Sequence, residues 1–160
     1  MANPFPFTAG QVLTAAQMNG IGEWTSFTPV LTATVTNPTL GTGSSVAGQY
    51  ARVQNLIIYQ FRITFGTSGV VAGSGNYKIS IPITAQSTSA FHSSQLGQTT
   101  FFDSSANVNY FANAWLESTT NLSLLYQVTF NGLLVNISAT APVVPAANDE
   151  INGLVIYRAA

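Results

Sequence analysis

Few groups in this chain are suited to chemistry. Its single histidine, His92, lies in Ser89-Ala90-Phe91-His92-Ser93-Ser94, and its carboxylates are Glu23, Asp103, Glu117, Asp149 and Glu150. A serine activated by His92, with Asp103 or Asp149 orienting the ring, is the one nucleophilic arrangement these residues allow. No strand-turn-helix nucleophile motif accompanies it, so His92 is expected to be a solvated loop side chain or a hydrogen-bonding group in a subunit contact. Glycoside hydrolysis would need two carboxylates facing one another. Asp149 and Glu150 are adjacent, and in a strand they would point to opposite faces; they are expected to form a polar turn before the last strand. The acidic density of a calcium loop is missing. The run from Gly66 to Gly75 is glycine-rich but has no Gly-Lys-Ser/Thr, which excludes a phosphate loop and leaves a flexible hairpin tip. With no cysteine there is no disulfide framework and no thiolate metal site. The expectation is a protein that is not an enzyme and uses no cofactor and no metal. Trp24, Trp115, Tyr110 and Tyr126 could stack on sugars, but rings of this size in strands are expected to anchor a core or an interface.

Composition narrows the classes further. Only 6% of the 160 residues are charged, with a net charge of -1, whereas ordinary soluble domains carry about 25% charged residues. Nine charges cannot coat a body of this size, so part of the surface is expected to be covered by partners, first of all by copies of the same chain. The basic residues Arg52, Arg62, Lys78 and Arg158 are scattered in sequence, and without a basic face no nucleic-acid partner is expected. The longest apolar runs, such as Leu56-Ile57-Ile58-Tyr59, fall far short of the roughly 20 residues of a membrane-spanning helix, so no membrane insertion is expected. The N-terminal residues have neither the basic region nor the apolar core of a secretory signal.

The elements that would position these groups are mostly strands. Val30–Thr36 and Asn55–Phe65 have strand spacing, and in the second Ile57, Tyr59, Phe61, Ile63 and Phe65 share one face. Further strands are expected near 47–53, 76–83, 96–102, 108–117, 122–130, 132–139 and 151–158, with Asn131-Gly132 marking a tight hairpin. The fold class is therefore all-β: an antiparallel β-sandwich, jelly-roll-like, over residues 23–160. Residues 1–22 form a separate arm. Pro4 and Pro6 hold its start extended. Thr14-Ala15-Ala16-Gln17 matches a capping box, predicting one helical turn near 15–19 that ends at Gly20 and Gly22. Such a turn is too short to stand alone, so Phe5, Phe7, Val12, Leu13 and Met18 are expected to dock on the same domain or on a neighbouring subunit.

The segment Phe7-Thr-Ala-Gly-Gln-Val-Leu-Thr-Ala-Ala-Gln-Met-Asn19 resembles an N-terminal segment of many tailed-bacteriophage tail and appendage proteins. Trp24-Thr-Ser-Phe-Thr-Pro29, Gly48-Gln-Tyr-Ala-Arg-Val53, Tyr59-Gln-Phe-Arg-Ile-Thr-Phe-Gly66 and Ile79-Ser-Ile-Pro82 are similar to blocks of a recurring family of small phage virion proteins. Gln54-Asn55 replaces that family's Gly-Lys turn, and the resemblance covers about residues 5–83. It implies a virion structural protein assembled in the bacterial cytoplasm, often trimeric, with an N-terminal attachment part and other virion proteins as partners. A tail fibre, tail-tip or baseplate subunit contacting the host is the leading expectation; a capsid decoration protein and a free carbohydrate-binding module are the alternatives. Host contact, to a surface glycan, is expected at two Ser- and Thr-rich loops, through Thr67, Ser68 and Ser74 in one and Ser87, Ser89 and His92 in the other.

Overall fold

Alternation along one strand sets the centre of the molecule. In strand β4 (Leu56–Thr64) every second residue from Ile57 to Ile63 is buried, and Phe65 continues the series. A pleated strand sends successive side chains to opposite faces, so one face of β4 must lie on a core. The computed structural model describes residues 9–12, 14–86, 95–128 and 132–160. Around β4 run β1 (Trp24–Phe27), β2 (Leu31–Ala33), β3 (Ser45–Val53), β5 (Tyr77–Ser80), β6 (Gln95–Asp103), β7 (Val108–Ser118), β8 (Asn121–Gln127), β9 (Leu134–Asn136) and β10 (Glu150–Arg158). The fold is all-β and antiparallel, preceded by one helical turn.

A single curled sheet makes the expected sandwich. Its order is β1-β3-β4-β10-β6-β7-β8-β5-β2, with β9 pairing β8. The two end strands, β1 and β2, are consecutive in the chain, separated by Thr28, Pro29 and Val30. Val30 is tied to β5 from both sides: its N–H donates to Ser80 Oγ at 2.9 Å and its carbonyl accepts from Ser80 N at 3.1 Å. The sheet therefore returns on itself, and its two halves enclose one core that includes Ile57, Tyr59, Ile63, Phe101, Leu122, Leu124, Ile151 and Val155. Gly48 permits the closure. A Cβ there would lie 2.9 Å from the Phe27 carbonyl oxygen and 3.1 Å from the Pro29 ring.

Some strands are shorter than their apolar patterns. The run 30–36 yields only β2, because Thr34 to Thr36 turn to bond the backbone at Ser74 and Asn76. Likewise 132–139 yields β9, after which Ile137 and Ala139 pair with Tyr77 and Gly75. Of the expected hairpin dipeptide, Asn131 lies outside the described residues. Gly132 has φ +79, and the Val128 N–H to Leu133 carbonyl bond of 3.0 Å closes the β8–β9 connection.

Three buried tyrosines tie the layers through their hydroxyls. Tyr59 donates to the Ser80 carbonyl at 3.3 Å, Tyr77 to Ala72 at 2.7 Å, and Tyr157 to Ile83 at 2.9 Å while accepting from Ile83 N at 3.2 Å. Burial of the phenol, the largest cause in each case, raises all three well above their ordinary pKa of 10.0. A neutral form favoured by folding gives stability that is complete below pH 10 and declines as pH rises toward the folded values. Absorbance titration should therefore show Tyr59, Tyr77 and Tyr157, three of the six tyrosines, ionising only as the fold is lost. Smooth titration near pH 10 with native circular dichroism would contradict this packing.

Candidate functional site

The carboxylates weighed for chemistry are dispersed, and most have structural partners. Asp149, fully buried, accepts from Ser104 N at 2.9 Å and Ala146 N at 2.8 Å, joining the β6–β7 turn to the turn before β10. Asp103 accepts from the Ser105 hydroxyl, Ser105 N and Ala106 N; the hydroxyl bond, followed by the Ala106 backbone bond, lowers its pKa. Glu117 pairs with Lys78 at 2.9 Å. Glu150 opens β10 and pairs with Arg62, whose Nε donates at 3.0 Å and whose Nη2 makes a second contact. The expected polar turn ends at Asp149. Among the described residues no three His, Cys, Asp or Glu side chains gather as a metal site. His92, Ser87 and Ser89 lie outside the described residues, as do Phe5, Phe7 and Leu13.

The segment 66–75 differs from the flexible tip that its glycines predict. It is laced to residues 34–43 by backbone bonds: Thr39 and Val71 exchange two at 2.8 and 3.0 Å, Thr42 N donates to Ser68 O at 2.9 Å, and Ser74 N donates to Thr36 O at 2.9 Å. Glycine supplies contact here as well as freedom, because a side chain at Gly73 would collide with the Thr36 carbonyl. Thr67 and Ser68 stay exposed on this double loop, and Ser74 is half-buried.

The helical turn α1 (Ala15–Asn19) forms as the capping box predicts. Thr14 Oγ1 accepts from Gln17 N at 3.2 Å and Thr14 N donates to Gln17 Oε1 at 2.9 Å. In the described part of the arm Val12 is 85% exposed and Met18 53%, whereas Ile21 at its base is half-buried.

A larger concavity lies on the outer face of the sheet. Register places Ser26, Gln49, Gln60, Leu154, Gln98 and Asn113 in one row across β1, β3, β4, β10, β6 and β7. The next row is Ala47, Arg62, Asn152, Thr100 and Phe111. Around these rows, with Ala47 and the backbone of Gly48 and Gly153 in its lining, lies a groove of about 710 Å³, within the size range of ligand sites. Phe111 forms one wall and is 78% exposed. Arg62, the one charged lining residue, is already paired with Glu150. Towards the other end of the same face Trp24, Val53, Leu56 and Ile156 are each between 38% and 46% exposed.

Of the aromatics singled out in the sequence, Tyr110 and Tyr126 pack partly buried against the core. Trp115 is half-buried, and its Nε1 finds no partner among the described residues. Phe111 and the glutamines were not singled out. Their signal is parity: Phe111 alternates with the buried Ala112 and Ala114, and Gln60 with Tyr59 and Phe61.

The double loop gives a direct test of its close approach. Gly69 has φ +70 with open space around its Cβ position, and Gly73 has φ +71 with backbone in the way. In urea unfolding, Gly69→Ala should cost about 1–2 kcal/mol from its left-handed backbone alone. Gly73→Ala should cost clearly more, roughly 3 kcal/mol or above. Equal losses would mean that the lacing contributes nothing. The chain matches no protein-family model, no curated protein and no solved structure.

Proposed function

We propose that this chain is a bacteriophage virion structural protein, a tail-associated appendage subunit that meets the host surface. The observation that carries the reading is the arm. Thr14, Ala15, Ala16 and Met18 of the capped turn stay exposed, as does Val12 before it. A five-residue helix is marginal in water, so an arm of this kind is completed by a surface other than its own domain. In this reading residues 1–22 attach and residues 23–160 form the projecting body.

The apolar end of the outer sheet face supports assembly. Trp24, Val53, Leu56 and Ile156 lie in neighbouring cross-strand rows, and a contiguous exposed apolar patch marks an interaction surface. Covering it in a homotrimer also shields apolar surface on a body that carries only nine charged side chains. A capsid decoration subunit would use the same arm and patch, and locating the chain in an image reconstruction of the particle separates head from tail. A free carbohydrate-binding module is the reading favoured by the groove alone, and it requires a monomer.

Deleting residues 2–22 should leave a folded β body that no longer enters particles, measured by mass spectrometry of purified virions. Normal incorporation of the truncated chain would overturn the attachment role. Light scattering at micromolar concentration should give three times the 16.9 kDa protomer mass, and Leu56→Ser with Ile156→Ser should shift it toward one. A monomeric full-length chain would favour the free module.

A further inference from the structure

The outer groove combines features that point to one ligand chemistry. Gln49, Gln60, Gln98 and Asn152 all line it, and none of their side-chain amides bonds another described residue. A carboxamide carries two donors and an acceptor with two lone pairs, matching sugar hydroxyls, which both donate and accept. Four unpaired amides oppose burial under an apolar protein surface, since each unsatisfied group would cost about 1–3 kcal/mol. A hydroxyl-rich ligand satisfies them. Phe111 presents its ring beside them, separated from Arg62 by the width of β10 and β6, three strand spacings or about 14 Å. That span seats an extended chain rather than a single ring. The one cation in the lining is neutralised by Glu150, so nothing in the groove selects an acidic sugar or a phosphate.

We infer that this groove binds a neutral oligosaccharide, with Phe111 stacking on a sugar ring and the Gln49, Gln60, Gln98 and Asn152 amides reading its hydroxyls. The inference deepens the host-contact reading above and rests on it for biological sense: the glycan contact moves from the loops to the sheet face. Repetition of the groove in a trimer, and of trimers around a particle, turns weak single-site binding into firm adhesion.

The test is calorimetric titration of the full chain with neutral hexasaccharides of glucose, mannose and galactose, using hexagalacturonate as the acidic control. At least one neutral hexasaccharide should saturate the protein at millimolar concentration while hexagalacturonate does not. Phe111→Ala should weaken that binding about tenfold, equivalent to about 1.4 kcal/mol, and Gln60→Leu with Gln98→Leu should weaken it at least as much. All three side chains line the surface groove, and circular dichroism checks that each variant stays folded. The inference falls if no neutral hexasaccharide saturates, if only the acidic one binds, or if both variants bind as the parent does. It also falls if the variants change the oligomeric mass, because the groove is then a subunit contact. Particle incorporation is scored separately. Chains that enter virions but bind no sugar overturn this inference alone, whereas sugar binding by chains that never enter virions overturns the virion reading alone.

Discussion

Both edges of the sheet are held by one bent segment. Trp24 to Phe27 pairs with β3 at one end of the strand order, and Leu31 to Ala33 pairs with β5 at the other. Only three residues separate them. Pro29 has no N–H to leave unpaired and a fixed φ, so the chain turns there without losing a ladder bond. Because the two ends cannot separate, the sheet must curl, and the curl encloses the inner core. An open, flat edge would invite pairing with other chains; here each end strand belongs to a segment whose continuation is bonded elsewhere.

Low charge and high order are connected through this arrangement. Polar side chains with local work are tied to backbone: Asp149 to two turns, Asp103 to its own turn, Tyr77 to the loop before it, and Tyr59 and Tyr157 to carbonyls of distant segments. Such bonds satisfy groups that would otherwise be expensive to bury. What remains on the outer face divides along the strands into an apolar end and an amide end. The first suits permanent contact with like surfaces, and the second suits reversible contact with a hydrated ligand.

How much of this was legible in the sequence depends on the range of the forces involved. Local chemistry was readable: the Thr14–Gln17 capping box forms as its spacing demands, and the alternation of Ile57, Tyr59, Phe61 and Ile63 fixes the buried face of β4. Non-local pairing was not. Whether Gly66 to Gly75 is loose or laced depends on meeting Thr34 to Gly43, and nothing within either segment encodes that meeting. The groove was hidden for the same reason. Gln49 and Gln60 face each other across the β3–β4 hairpin, but Gln98 and Asn152 come from distant parts of the chain and join them only once β4, β10 and β6 take their register.

The laced loops also constrain how the chain can change. Loops normally absorb insertions and deletions because their backbone groups face water. Here the backbone of 34–43 is the hydrogen-bonding partner of 66–75, so lengthening one side strands donors and acceptors on the other. The two connections must vary in length together or not at all. Diversity at this end of the body is thereby confined to the outward side chains, such as those at Val35, Thr39, Ser68 and Val71, carried on a backbone of fixed shape.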